Sequence, residues 1–251
     1  MYSGSRRFLL RCFIFVVCFS SLFTLLGQIG VVESGLQLRK ELSDVAFDDS
    51  VLFVFDIDET VLLAHNPKAR SAWFGAMLAE QIRLHASPVD AINETRRLYR
   101  LAQNETTVEP VDADLNTFIS EVHAQGVRCL GLTSRSRELC DITPTQLSSV
   151  GLQLDMVIHE AFELHLPPHV FPLAFEKNVF FTAGAHKGMS LGLLLRRMQW
   201  KPRLVVFIDD SYHHLEAMES YCSMDGIEVR AFHFTGYQKT MAAMEDRVVK
   251  R

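Results

Sequence analysis

The sequence predicts an α/β fold, a parallel β-sheet with helices packed on both faces, and three observations carry that reading. Residues 51–55 are a continuously apolar run, and 127–132 and 203–208 are strongly apolar apart from Arg128 and Arg203, the pattern of strands covered on both sides rather than half-exposed. Segments with helical spacing lie between them, as expected where crossovers join parallel strands. Each run also ends in polar residues: DIDET, TSRS and IDDS respectively. Ligands of open parallel sheets bind beyond the carboxyl ends of the strands, so the chemistry of the chain is expected at one edge.

The amino terminus precedes the domain. Arg6, Arg7 and Arg11 lead into an uncharged run over 12–26, which reads as a secretory signal peptide. Apolar character continues through 29–32, so the stretch also fits an uncleaved membrane anchor approaching the roughly 20 residues that span a bilayer. Both alternatives occupy residues 1–33 and place the remaining chain across the membrane. The protein is thus expected to be exported, periplasmic or secreted, touching membrane through an N-terminal anchor if at all. The folded domain is expected over 45–251.

After the 51–55 strand the pattern turns helical from Pro67 to about Leu101, with Trp73, Met77, Leu78 and Ile82 at helical spacing. Ser87-Pro88 divides this stretch, because proline breaks a helix interior. The second part turns Ile92, Leu98 and Leu101 inward and Arg96, Arg97 and Arg100 mostly outward, before polar residues 103–107 end it. A further helix starts at Asp112 or Asp114 as N-cap, carries Leu115, Phe118, Ile119 and Val122, and stops at Gly126. Past the 127–132 strand, a helix is expected over 139–150, delayed by Pro144. Short strands follow over 156–158 and 178–182, then a helix over 189–198. The 203–208 strand, a helix to about Cys222 and a strand over 228–234 complete the order.

Composition excludes several classes. A chain of 251 residues with net charge −5 argues against general nucleic-acid affinity, which wants a basic face, and no repeat or low-complexity tract is present. Beyond the amino-terminal segment, Cys129, Cys140 and Cys222 have no regular spacing, which argues against a disulfide framework while permitting one bridge. His165 and His169 are four apart, but Pro167 and Pro168 between them rule out a shared helix. They read as loop histidines rather than zinc ligands.

Asp56 and Asp58 are two apart at a strand end, so their side chains leave on one side. Asp209 and Asp210 end another strand. Carboxylates crowded at one rim repel each other, and a hard divalent cation resolves that repulsion; magnesium is the expected cofactor. Thr133 and Ser134 offer hydroxyls just past a strand, and Lys187 stands just before a helix. Facing a metal–carboxylate cluster, these groups make a receptacle for phosphate.

DIDETV, the strand-ending Thr-Ser, HKG at a helix start and VVFIDD occur in the order of the four motifs of the haloacid dehalogenase superfamily, which the chain resembles from about Val51 to Phe234. The first motif is also similar to that of secreted bacterial acid phosphatases with four catalytic aspartates. The last motif departs from that branch, reading Ile208-Asp209-Asp210. The resemblance implies a three-layer Rossmann-like sheet with a small helical cap inserted after the first strand, about 64–107. It implies a phosphomonoesterase acting on a small phosphorylated substrate, with Asp56 as nucleophile and Asp58 as acid and base. Mg2+ would be held by Asp56, Asp58 (through its carbonyl) and Asp209, with Asp210 a further ligand or an acceptor for metal-bound water. Thr133 and Lys187 would bind the phosphoryl group, with Ser134 and Arg135 placed to assist. Thr60 is expected to orient Asp58, and Glu59 to face away from the metal. His65 either lines the cleft or is incidental, and His213-His214 belong to a first helical turn. A phosphotransferase and a non-catalytic binding or effector protein are the alternatives the residues leave open.

Overall fold

The computed structural model describes residues 29–85, 87–154, 160–167 and 171–241. The expected leader lies outside them as far as position 28, as do the 156–158 strand and His169. In chain order the strands are β1 (Gly30–Val32), β2 (Val51–Phe55), β3 (Leu62–Ala64), β4 (Val108–Pro110), β5 (Arg128–Thr133), β6 (Phe162–Leu164), β7 (Leu173–Glu176), β8 (Val179–Phe181), β9 (Leu204–Asp209) and β10 (Glu228–Phe234). The helices are α1 (Gly35–Glu41), α2 (Ser71–Leu84), α3 (Pro88–Glu105), α4 (Ala113–Ala124), α5 (Ile142–Ser149), α6 (Lys187–Met198) and α7 (Tyr212–Asp225).

Strand β2 is central because its sequence leaves no side for water: all five residues are buried. Alternate side chains go to opposite faces. Val51, Phe53 and Phe55 join Leu38 of α1, Leu115, Phe118 and Ile119 of α4 and Leu147 of α5. Leu52 and Val54 join Leu191 and Leu194 of α6 and Leu215 and Met218 of α7. The result is the expected α/β arrangement, a Rossmann-like sheet between two helical layers. Its eight strands run β1-β10-β9-β2-β5-β8-β7-β6, parallel from β1 to β8.

The departures have local causes. Strands β7 and β6 are antiparallel, joined to β8 through Lys177 and Asn178, both at positive φ; such tight turns favour antiparallel return. Residues 30–32, assigned from their apolar character to the leader, instead form an edge strand beside β10. Helix α4 takes Asp112 as its N-cap, the Oδ1 accepting from both Leu115 N (2.7 Å) and Gly35 N (3.0 Å). A 3-10 turn over Arg137–Leu139 precedes α5, which therefore starts later than the periodicity suggests and takes Pro144 in its first turn. Among the described residues, Cys129 and Cys222 are buried, Cys140 is half-buried, and all three are free.

The insertion between β2 and β5 holds α2 and α3, paired through Phe74 edge-on to Tyr99 at 5.3 Å. Strands β3 and β4 were not anticipated. They pair antiparallel, Leu62 opposite Pro110, and bring both ends of the insertion together. Arg96 is not outward as expected: its Nη2 donates to Ala183 O at 2.7 Å, and its guanidinium lies 3.5 Å from the Phe171 ring centroid.

Helices α6 and α7 approach where Gly188 removes a side chain: a Cβ there would lie 2.2 Å from Ala217 O. Gly75 in α2 has open space around it. Gly188→Ala is therefore expected to cost about 1–3 kcal/mol in urea unfolding, as overpacking does. Gly75→Ala in the same assay is expected to stabilise by up to about 1 kcal/mol through helix propensity.

Candidate functional site

Register places the site. Phe55 of β2 lies opposite Ile208 of β9, and the ladder continues with Asp56 N donating to Ile208 O at 2.9 Å. Asp56 and Asp209 thus emerge side by side at the carboxyl ends of adjacent central strands. Oxygens of Asp56, Asp209 and Asp210 all lie within 4.8 Å of one another. From the other side comes Lys187, the first residue of α6. Its Nζ donates to Asp56 Oδ1 and, at 2.7 Å, to Asp209 Oδ2. The lysine is fully buried.

Burial pushes the Asp56 carboxyl up to about 7, with Lys187 opposing that rise and Asp209 adding to it. Asp210 is pushed up to about 8 by burial and by the charges of Asp56 and Asp209. Asp209 goes the other way: burial works against its charge, but Lys187 and His214 outweigh it and hold the carboxyl below its ordinary range. Burial likewise disfavours the Lys187 ammonium, yet Asp209 and Asp56 keep its pKa above the ordinary lysine value. One ammonium faces three carboxyl groups, two of them pushed up by burial and like charge, a repulsion that a divalent cation would relieve.

The remaining expected residues separate. Asp58 is not in the acidic cluster: both its oxygens accept from Arg135, Nε to Oδ2 and Nη2 to Oδ1, each at 2.8 Å. Thr133 is buried, its hydroxyl accepting from Arg135 N at 3.1 Å, while Ser134 is exposed. Thr60 does not orient Asp58; its Oγ1 accepts from Asp210 N at 3.1 Å, so it places the last aspartate instead. His65 bonds Thr107 Oγ1 at 2.7 Å, at the base of the insertion.

Glu59 is the residue the motif alone explains least. It stands at φ 65°, a left-handed turn that reverses the chain after Asp58. Its Oε1 accepts from Ser71 N at 2.9 Å. Helix α2 has no side-chain cap from its own N-cap residue, Arg70. Glu59 therefore satisfies an orphan donor and complements the helix dipole from twelve residues upstream. Burial raises its carboxyl pKa, and the bond to Ser71 opposes that rise.

Two histidines reach the last-motif aspartates, His214 from the first helical turn where it was expected and His233 from a strand where no role was assigned. His214 Nδ1 lies 3.1 Å from Asp209 Oδ1, and His233 Nε2 donates to Asp210 O at 2.9 Å. His214 follows Asp209 by five residues, across the strand-to-helix turn. His233 lies opposite Asp209 in the β9–β10 ladder; only the strand pairing reveals it.

The fold and this cluster define a class: an α/β protein with a buried carboxylate–lysine centre at the carboxyl edge of its sheet. The chain belongs to the family described as Protein of unknown function (DUF2608), whose pattern matches residues 36–250. A protein of Chlamydia muridarum provisionally named an outer membrane protein is 22% identical over 199 residues, covering 79% of this chain and 74% of that protein. A Chlamydia pneumoniae protein with the same provisional name is 21% identical over 191 residues, covering 76% and 71%. Among solved structures, a haloacid dehalogenase-like family hydrolase from Streptococcus pneumoniae superposes with a TM-score of 0.42 at 12% identity, covering 72% of this chain and 84% of that one. Among the described residues, no helix is long and apolar enough to cross a membrane.

Lys187→Met leaves Asp56 and Asp209 buried without their cation, and breaking such a pair costs about 3–5 kcal/mol. Urea unfolding in chelator-treated buffer is expected to show that loss. Glu59→Ala is expected to lower stability by about 0.5–2 kcal/mol, the range for a lost helix cap, with faster hydrogen exchange confined to the start of α2.

Proposed function

We propose that the protein is an exported, magnesium-dependent phosphatase of the haloacid dehalogenase type, hydrolysing small phosphomonoesters through an aspartyl-phosphate on Asp56. The observation that carries this reading is the Lys187 ammonium bonded to both Asp56 and Asp209. Three of the four sequence motifs thereby supply side chains to one cluster.

The donor set fits Mg2+: three carboxylates within 4.8 Å, two of them pushed up by burial and like charge, suit a hard, oxygen-seeking divalent cation. Asp56, Asp209 and Asp210 would hold it, with the Asp58 backbone carbonyl as the further oxygen the resemblance implies. When bound, it supplies charge neutralisation for the phosphoryl oxygens.

In the first step an Asp56 carboxylate oxygen attacks phosphorus in line. The bond from phosphorus to the ester oxygen breaks, and Asp58 delivers a proton to that departing oxygen. In the second, Asp58 takes a proton from water as the water attacks phosphorus; phosphate leaves and the Asp56 carboxylate is restored. Lys187 holds Asp56 in line and shares the charge of the transferring group, while Thr133 and Ser134 contribute hydroxyls at the end of the neighbouring strand.

The wild-type protein is expected to release phosphate from p-nitrophenyl phosphate in magnesium and to stop in chelator, and Asp56→Asn to abolish release. Turnover retained in Asp56→Asn overturns the mechanism. Magnesium is also expected to raise the thermal midpoint, by the equivalent of about 2.7 kcal/mol at a hundredfold excess over Kd; Asp210→Asn is expected to shrink that rise.

A further inference from the structure

Asp58 has surroundings that the proposed chemistry does not require. Its side chain is 13% exposed, and each oxygen accepts one bond from Arg135 in a bidentate pair, which leaves each a second lone pair. The Arg135 side chain is itself 1% exposed. Its Nη1 donates to Thr143 Oγ1 at 2.8 Å and Gln146 Oε1 at 2.6 Å, and its Nη2 also donates to Gln103 Oε1 at 3.3 Å. These bonds engage all five donors of a guanidinium.

The network continues outward. Gln146 Nε2 donates to Gln103 Oε1 at 3.0 Å. Gln103 Nε2 donates to Ala69 O at 3.0 Å and to the Tyr99 hydroxyl at 2.8 Å. One line of hydrogen bonds therefore runs from Asp58, in the loop after β2, through Arg135 in the loop after β5, to Gln103 on α3 and the turn that begins the insertion.

A buried ion pair is a weak device for stability alone, since well-packed apolar residues serve as well or better. A planar fork gripping both oxygens fixes direction as well as energy. The geometry points to Arg135 as a positioning residue: it fixes the direction of the Asp58 carboxyl and leaves the second lone pairs of its oxygens for the proton, and Gln103 sets Arg135, so the seating of the insertion governs proton delivery. This inference rests on the phosphatase reading above. A purely structural pair predicts equal losses on every substrate. A positioning pair predicts losses that grow with the need of the leaving group for a proton.

The test compares p-nitrophenyl phosphate, whose phenolate departs unaided, with an alkyl phosphate whose alkoxide needs protonation. Arg135→Lys keeps the charge and loses the fork. It is expected to lower kcat on the alkyl ester by roughly 100-fold, the low end for a general acid, and on the nitrophenyl ester by less than about tenfold. Gln103→Leu is expected to move the ratio of the two rates in the same direction by a smaller factor. Equal losses on both esters, or no loss, in variants with wild-type circular dichroism overturn the proposal. If Arg135→Lys does not fold, Gln103→Leu decides by the same ratio. Asp56→Asn, inactive on both esters, marks loss of the nucleophile as distinct from loss of alignment. A wild-type protein that turns over neither ester defeats the phosphatase reading. Whether Arg135 orients Asp58 is then decided by crystal structures of the wild type and Arg135→Lys: Asp58 displaced in the variant upholds that orientation, and Asp58 unmoved overturns it.

Discussion

The Lys187 ammonium between Asp56 and Asp209 is the contact around which the molecule is arranged. Two carboxylates, 6% and 0% exposed, lie in an interior hostile to unpaired charge. One buried lysine compensates both, and it does so from the first turn of α6, where the helix dipole opposes a cation. The carboxylates outweigh that penalty. Three conditions must hold together. Strands β2 and β9 must be neighbours in the register that aligns Phe55 with Ile208. Helix α6 must begin at the lysine. Gly188 must let α6 settle onto α7.

The insertion is fastened by a different kind of contact. The small apolar cluster of Ala64, Ala69 and Ala102, with Val108 packed against it, contrasts with the two large cores flanking the sheet. Polar bonds attach the insertion to the rest: Glu59 to Ser71 N, Arg135 to Gln103, and Arg96 to Ala183 O. Each of these ends on a loop that also carries a site residue or its neighbour. These bonds are where the insertion meets the site loops, and an element with little buried apolar area depends on such contacts for its seating.

How much of this could be read from the residues follows from how far apart the partners lie. Strand β2 and the aspartates at its end were legible because the strand signal and the carboxylates are adjacent in the chain. Asp209 and Lys187 were legible as members of an ordered motif set, although nothing local says that the lysine bonds both aspartates. The roles of Glu59, Thr60 and Arg135 were not legible: the partner of Thr60 is 150 residues away and that of Arg135 is 77 away, with no periodicity to link them. Arg96 reads as a solvated helix face because its acceptor, a backbone carbonyl, has no signature in sequence. Strands β3, β4, β6 and β7 have only three or four residues each, too short for alternation to register, so the hairpins escaped notice.

The core also closes without a covalent staple. Burial pushes the Cys129 and Cys222 thiols up to about 12, so within the fold they supply almost no thiolate to attack a disulfide or meet an oxidant. Cys140, half-buried between the 3-10 turn and α5, is pushed as high. A protein held by disulfides must finish folding where oxidants are available. Among the described residues, these three free thiols set no such requirement on the domain.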